Sequence, residues 1–486
     1  MKHAKLYVGI DLARRANHKA VVLKAERAAS PPAARPKALA FAHDREGFLA
    51  LRDRLRAQAG ASAGSSLDGV VANMEPTSGA WEVVAGFLRA QGAEVFFTRT
   101  DVVSALRKVH SKFAKSDRID GHTLADIPIS FPQRLIPVVE VEERVRTLRQ
   151  LSAQRQRLVE DQTRWKSRLL AKLEVAWGPL VRRLTKEQRF SQLACAFFKR
   201  FAHPRKVVAL GRERFLAWCQ THAHGNTDPD TLEAFWQGAV QTAELWTLLD
   251  DCQAIRVDWD CQHDLILQDL RLIAIFEKEI QRTEAQIRQA RQDVPECDVV
   301  EQLPGVGPVI SVTLTALLLP TTRFANAKKC GAYTGFTSRH KSSADREIQG
   351  LKITKTGNRR LKRDLALAAD VAMVHDPQLA DFAIRLLRRG KHYNKVRIAV
   401  GRKLALRAFS LLKRYSAGQT NVAYLWGNLQ GQPLDKRQAN ALAQHLWAVY
   451  HSEQENKGSS PNPALSWQSE DSTPQALDEL PGGDHD

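Results

Sequence analysis

The sequence predicts an α/β domain at the N-terminus, a long helical middle region and a mainly α-helical C-terminal domain. Short β-branched runs alternate with amphipathic segments up to residue 109, and two long stretches with helical spacing of apolar residues fill the middle. After residue 293, apolar helical segments surround glycine-rich turns. A chain of 486 residues, 43% of them hydrophobic, is long enough for several domains. The predicted domains cover residues 1–137, 138–293 and 294–415, followed by a helical extension at 416–451 and an acidic, disordered tail at 452–486.

The N-terminal domain is expected to have the element order β-β-β-α-β-α-β-α. Its first two strands, LYVGIDLA at 6–13 and HKAVVLKA at 18–25, are β-branched runs joined by a polar turn, which is typical of a hairpin. The other strands are predicted at 37–43, 67–76 and 93–100, and the helices at 45–60, 80–92 and 101–109.

Four carboxylates stand at the ends of these elements. Asp11 comes late in the first strand, Glu75 ends the fourth, and Asp117 and Asp120 lie three positions apart on a helical segment that begins near Ser116. A spacing of three places two side chains on one helix face. Like charges held close together repel strongly unless cations lie between them, and carboxylate oxygens suit Mg²⁺. Together these residues indicate a magnesium site for phosphodiester chemistry.

Each carboxylate taken alone has a simpler interpretation. Asp11 can cap a turn, and Glu75 can be a solvated residue at a strand end. Asp117 and Asp120 can be acids at a helix N-terminus that interact with the helix dipole and a neighbouring cation. Only the combination favours a metal site.

Charge and cysteine content narrow the class of protein. The chain has 72 Lys and Arg against 53 Asp and Glu, a net charge of +19, which favours a nucleic-acid partner. Eight acidic residues and one lysine between 452 and 486 give that tail a charge of −7, which leaves +26 on the rest. The six cysteines show no CxxC spacing, so neither a zinc site nor a disulfide framework is indicated. With no signal peptide or membrane-spanning run, we expect a soluble, cytoplasmic protein with no membrane partner.

The quoted carboxylate motifs resemble those of a known family. Asp11 in GIDLA, Glu75 in MEPTSGAW and the pair Asp117 and Asp120 in KSDRIDGHTLA are similar to the signature of the DEDD transposases of bacterial insertion sequences. The resemblance implies that the N-terminal domain has a RuvC-like, RNase H-like fold. It also implies that these four residues are catalytic ligands of Mg²⁺.

The middle region is predicted to contain two long helices, at 141–173 and 265–292, that pack as a coiled coil. The many Arg and Lys residues there are typical of a solvated face. By the resemblance, this region mediates association of protomers.

A glycine-rich turn opens the C-terminal domain. VVEQLPGVGPVISVTLTALL, at 299–318, is typical of a helix-hairpin-helix in which Gly305 and Gly307 let backbone N–H groups approach a phosphate. The alternative is a plain glycine-rich turn between core helices.

The segment 330–370 resembles the second conserved block of the same transposases, in which a serine is the nucleophile. Its YTGF and ITKTGN motifs place Ser343 at that position. Ala344 replaces the usual glycine and Ser338 stands where a proline is common, so the adjacent Ser342 remains an alternative nucleophile. Basic side chains that could hold DNA phosphates are Arg339, Lys341, Arg346, Lys352, Lys355, Arg359 and Arg360.

The resemblance predicts a DNA recombinase that moves an insertion element. A composite site of Mg²⁺, four carboxylates and Ser343 would form a covalent phosphoserine intermediate, and a structured RNA would guide the choice of DNA. Homodimers would assemble into a tetramer on DNA. The alternatives are a RuvC-like, metal-dependent Holliday-junction endonuclease and an inactive nucleic-acid-binding regulator.

Overall fold

The computed structural model describes residues 5–24, 37–60, 66–77, 79–110, 117–223, 228–337, 342–343, 346–347, 353–354 and 356–456. The chain divides into two compact units. The first comprises residues 1–141 with 322–325, and the second comprises 142–321 with 326–486. The finer division of the second unit at residue 293 remains a prediction. Within the described residues, no helix combines the length and apolar character needed to cross a membrane.

A six-stranded mixed sheet forms the centre of the first unit. Its strands are β1 (Leu6–Asp11), β2 (His18–Lys24), β3 (Leu39–Phe41), β4 (Val70–Met74), β5 (Glu94–Phe97) and β6 (Ile136–Pro137). The order across the sheet is β3-β2-β1-β4-β5-β6. Strands β1, β2 and β3 pair antiparallel, β1, β4 and β5 are parallel neighbours, and β6 is antiparallel to β5. The five strands predicted from the sequence are present, and β6 was not predicted because two residues carry no periodicity.

Helices cover both faces of this sheet. They are α1 (Arg45–Gln58), α2 (Ala80–Ala90), α3 (Thr100–His110) and α4 (Asp117–Ser130). On one face, buried residues of α1 and α2 such as Leu51 and Leu88 join the apolar side of β1 and β4 in one core. On the other face, the backbone of α4 approaches β1, and α3 packs against α4 through Val103 and Leu124. The sheet is therefore a buried layer between helices, as parallel strands require.

The second unit is helical. Its first helices are α5 (Glu143–Arg183), α6 (Gln192–Arg200), α7 (Pro204–Leu210), α8 (Arg212–His222), α9 (Pro229–Asp251) and α10 (Trp259–Gln292). The next are α11 (Glu296–Glu301), α12 (Pro308–Leu318), α13 (Ala327–Tyr333), α14 (Arg359–His375), α15 (Pro377–Arg388), α16 (Tyr393–Ser416) and α17 (Lys436–Glu455). A short hairpin pairs β7 (Ser342–Ser343) with β8 (Arg346–Glu347). Short 3₁₀ turns occur at Pro132–Arg134, Gln188–Phe190 and Thr321–Arg323.

The two long helices predicted in the middle region are present and lie side by side. The polar contacts between them include Arg155 to Glu284 at 2.8 Å, Gln162 to Glu277 at 2.7 Å, and Lys172 to Asp269 at 2.7 Å. Along these contacts, residue numbers increase on α5 while those of their partners on α10 decrease, so the two helices are antiparallel within one chain. Near Trp177, where the backbone leaves helical geometry, α5 bends over a core of buried aromatic rings.

The end of the described chain differs from the sequence-based expectation. The acidic tail was predicted to begin at residue 452, but α17 continues to Glu455. Glu453 contributes to this extension because its carboxylate pairs with Arg388 of α15 at 2.7 Å. The helix therefore includes two of the acids that were assigned to the tail, and residues 457–486 lie outside the described residues.

Candidate active site

The pairing of two parallel strands brings the first two predicted carboxylates together. Asp11 ends β1, and Glu75 directly follows β4. Ile10 lies opposite Met74 in the parallel register, so the next residue on each strand is one of the two carboxylates. Their backbones are separated by one strand spacing, about 4.8 Å. Both side chains are half-buried, and a cation held between carboxylates of adjacent strands would relieve the repulsion of their like charges.

Helix α4 lies on the same face of the sheet as Asp11. Side chains alternate along a strand, so Gly9 and Asp11 share one face. A Cβ on Gly9 would lie 2.1 Å from the carbonyl oxygen of Gly121 and 2.3 Å from the amide nitrogen of Ala125. Only glycine allows this approach, which brings the first turns of α4 against β1.

A buried polar residue fastens α4 to the neighbouring strand. Asn73 of β4 is fully buried, and its side-chain amide donates to the carbonyl oxygen of Leu124 at 2.8 Å. The hydroxyl of Thr98 donates in turn to the side-chain oxygen of Asn73 at 3.0 Å. Because Asn73 and Glu75 share a face of β4, these bonds set α4 relative to Glu75. The sequence signal for this contact is a polar residue inside the apolar strand VVANM.

The other two predicted carboxylates belong to α4, which begins at Asp117 as expected. The side chain of Asp117 lies outside the described part of the chain. The carboxylate of Asp120 is half-buried and pairs with Arg107 of α3 at 3.2 Å. The role of Arg107 was missed because no local pattern connects residues on two different helices.

The donor chemistry of these residues fits a magnesium ion. Asp11, Glu75 and Asp120 offer the hard oxygen atoms that Mg²⁺ prefers. Among the described side chains, however, no three His, Cys, Asp or Glu residues lie close enough together to hold an ion. A complete set requires the Asp120 carboxylate to exchange Arg107 for the ion. The ends of β1 and β4 are thus side by side, and the carboxylate of Asp120 is paired with Arg107.

The predicted serine nucleophiles lie in the second unit, on the hairpin of β7 and β8. Ser343 pairs with Arg346, and Ser342 pairs with Glu347, in antiparallel register. The structure describes only the backbone of these four residues. Four predicted phosphate-binding residues lie outside the described part of the chain: Arg339, Lys341, Lys352 and Lys355.

The N-terminus of α14 gathers positive charge. Asn358 caps the helix by accepting from the amides of Arg360 and Leu361 at 3.0 and 3.2 Å. Arg359 is exposed, and the first turn contains no acidic residue. Burial lowers the pKa of the Arg360 guanidinium, and the like charge of Arg157 adds to this effect. Cations are unfavourable at the positive end of a helix, so a bound phosphate would stabilise this arrangement.

The two glycines of the predicted helix-hairpin-helix have different surroundings. Gly305 has a φ of +73°, and a Cβ there would lie 2.2 Å from the carbonyl oxygen of Ala368 in α14. It therefore faces the protein interior, as the alternative of a packed turn predicts. Gly307 precedes α12 and would have nothing within 4 Å of a Cβ. The space beside Gly307 is compatible with an approaching phosphate.

Comparisons with known proteins match both parts of the chain. A family model for the DEDD transposases of IS110, described as "Transposase", matches residues 8–177, and the model described as "Transposase IS116/IS110/IS902 family" matches residues 297–383. The insertion element IS110 uncharacterized 43.6 kDa protein of Streptomyces coelicolor is 24% identical over 314 residues, which cover 64% of this chain and 74% of that protein. The insertion element IS116 uncharacterized 44.8 kDa protein of Streptomyces clavuligerus is 21% identical over 321 residues, which cover 66% of this chain and 77% of that protein. The first model spans all four predicted carboxylates, and the second spans both serines.

Proposed function

The chain belongs to the IS110 family of DEDD transposases, and we propose that it cuts and rejoins element and target DNA through a composite site. The first unit is proposed to be an RNase H-like, RuvC-like domain, which its mixed sheet with parallel β1, β4 and β5 supports. The carboxylates Asp11, Glu75, Asp117 and Asp120 are proposed to hold Mg²⁺. The hairpin of the second unit is proposed to supply the nucleophile, Ser343.

One observation carries this proposal. Asp11 and Glu75 occupy neighbouring positions at the carboxyl ends of two adjacent parallel strands, and α4 is fixed on the same face by Gly9 and Asn73. Three elements distant in sequence, β1, β4 and α4, are thus packed together near the predicted carboxylates. A set of structural acids scattered over the surface would not need a glycine contact and a buried amide to hold it.

The chemistry divides between the two units. Mg²⁺ bound by the carboxylates would stabilise charge on the phosphate under attack. The Ser343 hydroxyl oxygen forms a bond to phosphorus as the bond to a sugar oxygen breaks, and the serine proton passes to that oxygen. One phosphodiester replaces another, so rejoining in the reverse direction needs no energy source. The cations at the start of α14, Arg359 and Arg360, are proposed to hold flanking phosphates.

The partners are part of the same proposal. A net charge of +19 supports a polyanionic cargo, whether DNA alone or DNA with RNA. From the family resemblance, this cargo is proposed to be DNA together with a structured guide RNA. Several strands must be cut together in such a reaction, so homodimers are proposed to assemble into a tetramer on DNA. Sedimentation of the protein alone, with RNA, and with RNA and DNA tests the assembly, because a monomer in all three mixtures would contradict it.

A covalent-trapping assay tests the proposed mechanism. Labelled element-junction DNA, Mg²⁺ and RNA transcribed from the element flanks are mixed with the wild type, Ser342→Ala, Ser343→Ala or Asp11→Asn. We expect a protein-linked DNA strand with the wild type and Ser342→Ala, and no linked strand with the other two variants. A linked strand that is lost in Ser342→Ala instead would move the nucleophile by one residue.

Two other outcomes would replace the proposal. The wild type and both serine variants could cleave the DNA without any protein-linked strand, while Asp11→Asn does not cleave it. That result would assign a metal-dependent endonuclease. DNA binding that depends on Arg359 and Arg360, with no cleavage in any sample, would assign a nucleic-acid-binding regulator.

A further inference from the structure

A buried histidine lies at the end of the loop that follows Asp11. His18 begins β2, and 1% of its surface is exposed. Its ring packs against Phe41, with 5.0 Å between ring centroids. Burial of an imidazole is unfavourable unless its nitrogen atoms form hydrogen bonds. The partners of these two nitrogen atoms therefore show what the residue does.

The hydrogen bonds of His18 determine its tautomer. The backbone N–H of Ala13 donates to Nδ1 of His18 at 3.1 Å. A backbone N–H is only a donor, so Nδ1 carries no proton and Nε2 carries the proton of the neutral ring. Nε2 lies 2.9 Å from Nδ1 of His43, so it donates to that atom, and the neutral His43 ring holds its proton on Nε2.

Burial supports the neutral form of His18. It lowers the pKa of His18, and the neighbouring His43 lowers it further. A protonated Nδ1 could not accept the bond from Ala13. The loop is thus held by a neutral imidazole whose second nitrogen is itself fixed by an exposed histidine.

Ala13, the residue that His18 anchors, lies two positions after Asp11. On one side, the backbone of Asp11 pairs with Lys19 of β2. On the other side, Leu12 is buried in the core and Ala13 is bonded to His18. The chain is therefore fixed immediately before and after the point where it leaves the sheet, although residues 14–17 of the loop are exposed.

We infer that His18, oriented by His43, is a positioning residue that holds the Asp11 carboxylate at the metal site. The inference rests on the proposed role of Asp11 as a metal ligand. Residues that orient metal ligands without touching the ion typically change ion affinity by about 10- to 100-fold when they are replaced. The nearest comparable contact on the neighbouring strand is made by Asn73, which fixes α4 and not the Asp11 loop.

Two substitutions of His18 distinguish the effect of its hydrogen bond to Ala13 from the effect of the space that its side chain fills. The side-chain oxygen of Asn can take the place of Nδ1 and accept from Ala13, whereas the amide of Gln reaches the position of Nε2 and leaves the Ala13 amide without its acceptor. We expect His18→Gln to weaken Mg²⁺ binding about 10-fold or more, and His18→Asn to remain close to the wild type. His43→Ala keeps the Ala13 bond but frees the ring to exchange tautomers, so a smaller loss is expected.

The measurements use the full chain with Mg²⁺ alone. Calorimetric titration gives the ion affinity, and hydrogen exchange resolved at the single Ala13 amide reports its bond to His18 without any ion. Slow exchange is expected in the wild type and in His18→Asn, and fast exchange in His18→Gln. Nitrogen chemical shifts of ¹⁵N-histidine, assigned with the two His18 variants, should show an unprotonated Nδ1.

Controls distinguish the possible failures. Leu51→Ala removes a buried side chain of α1 in the same core and should lower stability without changing ion affinity. If Asp11→Asn leaves ion binding unchanged, the proposed metal site itself is wrong. If Asp11→Asn abolishes binding while His18→Gln changes neither affinity nor exchange, His18 does not position the site. Should His18→Gln fail to fold, fast exchange of the Ala13 amide in the wild type would overturn the inference equally.

Discussion

Single glycines set the distances on which the candidate site depends. Gly9 lets α4 approach β1 because the atoms facing it are the backbone oxygen of Gly121 and the backbone nitrogen of Ala125. Backbone atoms cannot rotate out of the way as the end of a long side chain can. Since Gly9 lies two residues before Asp11 on the same face, any displacement of α4 also moves Asp120 relative to Asp11.

We expect Gly9→Ala to destabilise the protein by about 3 kcal/mol, because the added methyl group overlaps with the backbone of α4. Urea unfolding monitored by circular dichroism measures this change. Gly86→Ala is the matched control, since Gly86 lies in α2 with nothing within 4 Å of its Cβ position. That substitution should be neutral or slightly stabilising. Equal unfolding midpoints for both variants would contradict the close packing of α4 on β1.

The glycines of the turn before α12 provide a second comparison. Gly305→Ala should destabilise by about 2 kcal/mol or more, because φ is +73° and the new Cβ would meet the carbonyl oxygen of Ala368. Gly307→Ala should leave stability nearly unchanged, because the space around it is open. If a phosphate approaches this turn, Gly307→Ala should still weaken DNA binding in a filter or mobility assay. Unchanged binding would assign the turn to packing alone.

At the level of elements, a buried ion pair joins the two long helices. Asp269 of α10 has 3% of its side chain exposed and Lys172 of α5 has 29%, and their charged atoms are 2.7 Å apart. Removing one partner leaves the other charge uncompensated at a site with little access to water. Such losses are larger than the net contribution of the pair itself.

Lys172→Ala is expected to lower the free energy of unfolding by about 3 kcal/mol, because the buried Asp269 carboxylate then lacks the lysine that pairs with it. The double variant with Lys172→Met and Asp269→Leu should recover most of that loss. Arg164→Ala is the control on the same helix, because its pair with Asp161 is largely exposed and worth less than about 1 kcal/mol. Chemical denaturation of all three proteins gives the comparison. A loss in the double variant as large as in the single one would show that packing, and not charge, dominates there.

At the scale of the whole molecule, the last residues of the chain carry a net negative charge and the rest carries a net positive charge. Residues 457–486 contain six acidic residues and one lysine, so their removal raises the net charge from +19 to +24. Association with nucleic acid is accelerated by opposite charge and slowed by like charge.

A chain that ends at Asn456 should bind DNA faster than the full chain at low salt, and the difference should shrink as salt is added. Stopped-flow fluorescence with labelled duplex DNA measures the association rate. A version with the acidic residues of this segment replaced by Asn and Gln controls for its length. Equal rates at low salt would show that the segment does not affect the binding surface.

Burial sorts the six free cysteines into reactive and protected groups. Cys252 and Cys261 are exposed, whereas Cys219, Cys297 and Cys330 are buried and Cys195 is half-buried. Burial raises the pKa of the Cys219 thiol to about 12 and that of Cys297 to about 11. Only the thiolate reacts, so these two should be inert near neutral pH.

We expect two thiols per chain to react quickly with Ellman's reagent at pH 8, and the other four to react only in guanidinium chloride. The variant with Cys252→Ser and Cys261→Ser should show almost no fast reaction. A third fast thiol would mean that one of the helices with a less exposed cysteine, α6, α8, α11 or α13, opens readily. The same count after DNA is added would report whether binding covers either exposed cysteine.

The sequence by itself determined the order of elements in the first unit as far as α4, the two long helices, and the residue types of the candidate site. These features are local, because alternation along a strand and spacing along a helix are properties of neighbouring residues. It also placed Asp11 and Glu75 at strand ends and Asp117 at the start of a helix, and the structure agrees with each position.

The tertiary structure alone decided how these positions meet. The β1–β4 register sets Asp11 beside Glu75, Arg107 holds Asp120, and His18 anchors the residue after Leu12. It also separated the roles of Gly305 and Gly307, which look alike in the sequence. Each of these contacts joins residues that are distant along the chain or depends on which atoms face them. Local propensities carry no information about such contacts, because they follow from how whole elements pack.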